Sequence, residues 1–447
     1  PSILIIYGRR RVGKTTLIEH SFQDTLLYKF EGLEGKSKQN QLAHCLYTLS
    51  KYLKDQNVAK LQLKTWEEFF DFLFEKTRKK NIVLYLEEIQ WLAEYGSDLI
   101  SDLKCVWDNH FSKKKKFKLI LCGSSPSYIQ KEVIRSKALY NRSEHIIFLQ
   151  PFSLYETFLF MGKTRSQFEI MDAYLAVGGL PEYLKYLKNE SSTYLALLKN
   201  SFHPDSFFFN EYDKIFTSSM ADNKYYRKII DLLSHVRFAT REQITKKLDI
   251  KSGGSLSSIL EDLTLMGFVE SVIPLGANQN TKLQRFKIAD PYLSFYFRFI
   301  HPRIQAIRSH QIKKPELVLP YESYRQWLGF AFEDWCRRNA FLVAKKLGFE
   351  SVSYESGSFF RREDLESGFQ IDLVFERKDR VVTVCEIKYT ETPPGKKILK
   401  SYLDKLERYP KKKNQTFQRV LISAQGATPE LSQSFDRVLT LADLFSH

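Results

Sequence analysis

Ser2-Ile-Leu-Ile-Ile-Tyr-Gly-Arg-Arg-Arg-Val-Gly-Lys-Thr-Thr16 is the stretch on which the reading of this chain turns. A short apolar run, Ser2–Tyr7, leads into Gly8–Thr15, which fits the pattern GxxxxGK[ST], and a helical pattern starts at Lys14. Each part has a physical reason. Glycines let the backbone curl with its amides pointing inward at phosphates. The helix start adds the positive end of its dipole. Lys14 brings charge to the terminal phosphates, and Thr15 offers a hydroxyl to magnesium. The nucleotide-binding set is therefore Gly8, Arg9, Arg10, Arg11, Val12, Gly13, Lys14, Thr15 and Thr16, and the expected cofactors are ATP and Mg2+.

Working outward, Asn81-Ile-Val-Leu-Tyr-Leu-Glu-Glu-Ile-Gln90 carries two carboxylates at the end of a buried strand. Such acids are costly unless a cation or an open cleft receives them. Magnesium at Glu87 and water activation at Glu88 account for both. Glu87 stands where Asp is usual, one methylene longer, so the metal contact is shifted or water-mediated. Phe117-Lys-Leu-Ile-Leu-Cys-Gly-Ser-Ser125 is a further strand ending in small polar residues, and Ser124 is positioned to sense the terminal phosphate.

Apolar runs at Leu26–Phe30, Ile82–Leu86, Phe117–Cys122 and Ile146–Leu149 alternate with helical patterns over 38–54 and 65–80. That alternation predicts an α/β fold with a parallel sheet covered on both faces. The chain divides into a P-loop core at 1–150, a helical lid at 151–220 interrupted at Gly178, Gly179 and Pro181, a unit at 221–300, a connector at 301–325 and a C-terminal unit at 326–447. The third unit reads helix 224–235, helix Thr240–Leu248 with a Thr cap, turn Ser252–Gly254 and helix Ser255–Met266. Strands Val269–Pro274 and Leu283–Ile288 follow, which is the order of a winged helix-turn-helix. Residues 221–290 hold eleven Lys and Arg against eight Asp and Glu, and the third helix has Glu261 and Asp262 but no Lys or Arg. Base readout by that helix is therefore disfavoured, and a structural role is an equal reading; the wing, with Lys282, Arg285 and Lys287, can meet phosphates.

With these pieces in order, the chain resembles the archaeal-type ATPase family, a branch of the AAA+ and STAND P-loop NTPases. The resemblance rests on Tyr7–Thr15, Leu86-Glu-Glu-Ile-Gln90, Cys122-Gly-Ser-Ser125, Pro151-Phe-Ser153, Gly178-Gly-Leu-Pro-Glu-Tyr183 and Ile288-Ala-Asp-Pro-Tyr-Leu293, and it covers about 1–300. It implies that Arg142, in Leu139-Tyr-Asn-Arg142, is an arginine finger, acting in cis or across the interface of a homo-oligomer. The family usually opens with a Gly-Arg-Glu stretch before its first strand; its absence leads to the expectation of further residues ahead of Pro1.

The last unit holds a second constellation. A long helix, Ser323–Leu347, carries Glu333, and strand runs lie at 351–355, 369–376 and 380–388. Asp372 lies in one strand, and Glu386 and Lys388 lie two apart in the next, so they share a face. Carboxylates of this kind hold magnesium against a phosphodiester, while a lysine stabilises the developing charge. The order helix Glu, strand Asp, strand ExK resembles the PD-(D/E)xK nuclease family, which implies a restriction-endonuclease-like fold and metal ligands Glu333, Asp372 and Glu386 beside catalytic Lys388. A centre that now only binds nucleic acid or protein remains the alternative. A basic helix over 396–408 and the runs Lys396–Lys400 and Lys411–Lys413 lie nearby.

Composition agrees. Sixty-eight Lys and Arg against 52 Asp and Glu give a net charge of +16, which points to a polyanionic partner, DNA being favoured. Five cysteines without a CxxC pair fit free thiols in a reducing cytoplasm. No run is long and apolar enough for a membrane span.

Overall fold

The computed structural model describes residues 1–446 except 137–141, 163, 219–223, 250–253, 274, 276–283 and 362–367. The first sheet is built from β1 (Ser2–Tyr7), β2 (Leu26–Glu31), β3 (Ile82–Glu87), β4 (Lys118–Gly123) and β5 (Ser143–Phe148), in the order β2-β3-β4-β1-β5. Every pairing is parallel. The apolar runs are continuous because both faces are covered. Ile3 and Ile5, Leu84 and Leu86, and Leu119 and Leu121 face one layer, with the helices Lys38–Leu53, Trp66–Thr77 and Asp98–Asn109. Ile6, Val83, Tyr85, Ile120 and Cys122 face the other, with Ile18. Fully burying each branched side chain contributes about 1.5–3 kcal/mol, so β3, buried at all six positions, is the sheet's anchor.

Beyond the sheet the chain is helical from Leu154 to Ser218. Three further helices, Lys224–Ser234, Arg241–Leu248 and Gly254–Leu265, accompany a small antiparallel sheet of β6 (Ala239–Thr240), which lies between the first two helices, β7 (Val269–Val272) and β8 (Arg285–Ile288), ordered β6-β8-β7. The Thr240 cap forms as expected, in a capping box with Gln243. The Ser252–Gly254 turn up to residue 253, Lys282 and Leu283 lie outside the described residues. The stretch read as a connector is anchored at three points, with Ile307, Leu319 and Tyr324 buried, and short helices run through it. The expected long helix is two, Tyr321–Arg338 and Ala340–Leu347, because Asn339 leaves helical geometry at φ −101 and ψ 34.

The C-terminal sheet comprises β9 (Tyr354–Arg361), β10 (Phe369–Arg377), β11 (Val381–Lys388), β12 (Thr416–Ser423) and β13 (Arg437–Leu439), in the order β13-β12-β11-β10-β9. β9, β10 and β11 are antiparallel neighbours, and β12 and β13 run parallel to β11. The register between β9 and β10 shifts between Ile371 and Val374, a bulge at Asp372. Among the described residues no helix is long and apolar enough to cross a membrane. All five cysteines are free; Cys105 is exposed and the other four are buried.

One polar cluster ties the lid helix Gln167–Val177 to the C-terminal unit. Arg325 Nη1 lies 3.0 Å from both Asp172 oxygens, and the Tyr389 hydroxyl donates to Asp172 at 2.6 Å. Phe168 and Tyr389 stack at 4.9 Å, with the Arg325 guanidinium against both rings. Burial pushes the Asp172 carboxyl up to about 6, against the pull of Arg325 and Tyr389. Unfolded, the group titrates near ~3.9. Its contribution is therefore fully present below that value and lost as pH rises through about 6. Between about pH 4 and pH 7 the native chain should lose roughly 2–3 kcal/mol of stability relative to Asp172→Asn. Urea midpoints of both proteins across that range measure this, and parallel curves would refute it.

Candidate functional site

The Gly8–Thr15 loop joins β1 to the helix Lys14–Ser21. Gly13 has φ 95 and Arg11 φ 70, so the loop turns through left-handed backbone at two points. A Cβ on Gly8 would meet Leu149 O at 2.3 Å, which leaves no side chain possible at the tightest approach. Lys14 is buried and folds back onto the loop, donating to Gly8 O at 2.8 Å and Arg9 O at 3.1 Å. Its ammonium thus sits in the mouth of the loop, where phosphate oxygens would compete with these carbonyls.

Parallel pairing brings the strand ends together: Glu31 stands level with Glu87, and Tyr7 with Gly123. Thr15 Oγ1 donates to Glu87 Oε1, and Lys29 Nζ reaches Glu87 Oε2 at 2.6 Å. Burial opposes ionisation of Glu87, but the bonds from Lys29, Thr15 and Tyr85 outweigh it and hold the carboxyl below the usual range. Thr15 hydroxyl and Glu87 carboxylate together form an oxygen donor pair that suits magnesium, with the Lys29 ammonium already meeting the same charge. Lys29 was not among the expected site residues. Its only signal is a lysine inside the apolar run Leu26–Phe30.

Glu88 begins the next turn in left-handed conformation, φ 49. Its Oε2 accepts from the Ser124 amide at 3.1 Å, the Ser124 hydroxyl at 2.6 Å and Gln90 Nε2 at 2.6 Å. β4 lies between β1 and β3, which is why Ser124 at its end can touch Glu88. A Cβ on Gly123 would fall 2.7 Å from Ile129 Cδ1 and 2.8 Å from Gln90 Oε1, so a larger residue there would displace the ends of both side chains. A cleft of about 370 Å³ is lined by Arg10, Lys14, Thr15, Thr16, Glu87 and Glu88 and closed by Pro181, Glu182 and Lys185 of the lid.

The three arginines of the loop part company. Arg10 lines the cleft. Arg9 pairs with buried Asp290 and lies 4.3 Å from the Phe268 ring centroid. Arg11 pairs with buried Glu211 at 2.7 Å, and Val12 packs into the lid's core. The side chains of Arg9 and Arg11 thus hold later parts of the chain, Arg11 while also bordering the cleft. Arg142 makes a two-pronged contact with Asp108, Nε–Oδ1 at 2.9 Å and Nη2–Oδ2 at 3.0 Å, while Leu139–Asn141 lie outside the described residues.

In the C-terminal unit Asp372, Glu386 and Lys388 meet as their spacing predicts. Lys388 Nζ is 2.7 Å from Glu386 Oε1, and Asp372 Oδ2 accepts from the Ile387 amide at 3.1 Å. Lys405, from the helix Lys397–Arg408, takes the other Glu386 oxygen at 2.9 Å; its signal was the basic helix, not its position in it. Glu333 approaches from the helix Tyr321–Arg338, 3.8 Å from Arg337. Burial and then the charge of Asp372 raise its carboxyl to about 7. Asp372 is itself raised, by burial and then by Glu386. Desolvation disfavours charge on Lys388, yet Glu386 holds its ammonium above the usual range. Among the described residues no group of three or more His, Cys, Asp or Glu is arranged to hold a metal ion.

Residues 1–187 match a family described as an ATPase domain predominantly from Archaea. Residues 296–401 match a second family, described as archaeal and bacterial proteins of unknown function. An uncharacterized protein of Methanocaldococcus jannaschii is 28% identical over 392 residues, which is 87% of this chain and 83% of that one. Among solved structures, a Walker-type ATPase of Pyrococcus abyssi is similar at 18% identity, covering 66% of this chain and 91% of that one, with a TM-score of 0.47. The ORC2 protein of Aeropyrum pernix, in its ADPNP–ADP complexes, is similar at 13% identity over 70% and 89%, with a TM-score of 0.45. The chain therefore carries an ATPase domain of the archaeal P-loop type.

Proposed function

We propose that this chain is an ATP-hydrolysing switch coupled to a metal-dependent nuclease, with DNA as the favoured substrate. The observation that carries the second half is the meeting of Asp372, Glu386 and Lys388 at one end of a five-stranded sheet, with a bulge re-aiming Asp372.

In the ATPase half, the loop amides and Lys14 hold the phosphates, and Thr15 and Glu87 hold magnesium. Bound magnesium neutralises charge between the terminal phosphates. Glu88 orients the attacking water, held in place by Ser124 and Gln90; Ser124 registers the terminal phosphate by exchanging its bond to Glu88. Arg142 acts as an arginine finger after leaving Asp108, in a homo-oligomer formed through the ATPase domain. The 221–300 unit is a winged helix used structurally. Its third helix is docked rather than presented, since Lys131 of the ATPase domain bonds Ser258 at 3.1 Å and lies 3.6 Å from Asp262.

In the nuclease half, Asp372, Glu386 and Glu333 are the metal ligands, and Lys388 stabilises charge on the phosphate. A magnesium held by these carboxylates would supply polarisation of the phosphodiester and a lowered pKa of a water. A second reading, a C-terminal unit that only binds nucleic acid or protein, is favoured by two lysines on Glu386 and by the lack of a three-ligand metal group among the described residues.

Lys14→Ala should lose nucleotide binding, read with a fluorescent ATP analogue. Glu88→Gln should keep binding and lower kcat by about a hundredfold or more, read as phosphate release; unchanged turnover would remove Glu88 from its role. With magnesium or manganese, the native chain should cut supercoiled, linear or single-stranded DNA. Asp372→Ala and Lys388→Ala should abolish cutting and leave ATP hydrolysis intact. No cutting of DNA or RNA by the native chain selects the binding-only reading.

A further inference from the structure

A cleft of about 590 Å³ separates the β6-β8-β7 sheet from the C-terminal sheet. One wall is Phe238 with β7 and β8; the other is β9, Gln370 and the helix Tyr321–Arg338. Its lining combines two features that rarely occur together by chance. Phe238 is 38% exposed and Phe360 is 60% exposed, so two large apolar rings face the opening. Around them stand five cations against two acids.

The acids are already matched. Lys287 lies 2.9 Å from both Glu270 and Asp334, and Arg337 also bonds Asp334. That leaves Arg237, Arg285 and Arg338 without a carboxylate among the described residues, Arg338 being taken up by the Ala289 carbonyl. Arg237 bonds the Gln370 side chain at 3.1 Å, and the Arg285 guanidinium covers the Phe238 ring at 4.1 Å. A guanidinium pinned on an exposed ring makes a flat, positive platform.

The carboxylate group does not line the cleft but is linked to it through two lining residues, Gln370 and Arg337. Gln370 is two residues before Asp372 on β10. Arg337, which lines the cleft, donates to Asp372 O at 3.3 Å and approaches Glu333 at 3.8 Å. A chain of phosphates lying along Arg237 and Arg285 would therefore be led towards Asp372.

We propose that this cleft binds an unpaired nucleic-acid strand, stacking bases on Phe238 and Phe360 and pairing phosphates with Arg237 and Arg285. Only unpaired bases present their faces to aromatic rings; a duplex offers phosphates and groove edges. An acidic peptide would satisfy the cations but leave the rings uncovered. The delivery of the strand to Asp372 rests on the nuclease reading above; the binding itself does not.

The test separates the two. In EDTA, anisotropy of a labelled oligothymidine is measured with the native chain, and with its duplex and poly-glutamate as competitors. The single strand should bind more tightly than the duplex, and poly-glutamate should compete poorly. Phe238→Ala and Phe360→Ala should each weaken single-strand binding about tenfold, Phe238→Tyr should retain it, and Arg285→Gln should reduce the salt slope by about one. Native-like melting of each variant shows that folding is kept. Unchanged binding in both alanine variants, equal affinity for duplex, or effective competition by poly-glutamate would each overturn the proposal. Stacking-dependent binding without cutting in magnesium leaves the cleft standing and removes the nuclease. Cutting indifferent to both rings does the reverse.

Discussion

Glu87 ends a strand buried at every position, and its carboxylate is met from two sides, by the Lys29 ammonium at 2.6 Å and by the Thr15 hydroxyl. Much else depends on this contact. It joins the end of β3 to the phosphate loop and to β2, across the parallel sheet. It keeps a charge at the sheet's edge without leaving it unpaired, a state whose cost would be several kcal/mol. It also keeps the first turn of the loop's helix in register with the acids, so that Lys14, Thr15, Glu87 and Glu88 line one cleft.

The same economy recurs in the C-terminal unit. Glu386 is buried at the end of β11 and is met by two lysines, one two residues along its own strand and one from a helix. Asp372 is met instead by a backbone amide. Two sheets of different topology thus place acids at their strand ends and surround them with cations. Between them, the Asp172, Arg325 and Tyr389 cluster joins the lid, whose residues close the first cleft, to the residue that follows Lys388.

Local features were readable from the chain, and distant ones were not. The phosphate loop, the paired acids and the Glu386–Lys388 pair are short patterns whose geometry follows from one helix start or one strand. Thr240 as a helix cap belongs with them. Lys29 was missed because its role exists only once β2 pairs with β3. Lys405 was hidden for a similar reason, as one lysine among many in a basic helix. The bulge at Asp372 leaves no mark in an alternating pattern. The 301–325 stretch reads as a linker because prolines punctuate it, yet Ile307, Leu319 and Tyr324 are buried in a shared core. Asn339 has no motif at all, and it divides an otherwise continuous helical pattern. Arg9 and Arg11 were assigned to the nucleotide from their place in a motif; their side-chain partners, Asp290 and Glu211, are far along the chain.

Those two arginines have a consequence for how the chain can be divided. Asp290 is 2% exposed and Glu211 is 1% exposed, each matched by a loop arginine. A fragment ending at residue 187 would keep Arg9 and Arg11 but lose both acids, and Val12 would lose the hydrophobic residues it packs against after that point. The complementary fragment would hold both carboxylates without their loop arginines. The ATPase family match ends at residue 187, but the contacts of its loop do not: the loop that grips phosphate is also a structural rivet for residues two hundred and more positions downstream.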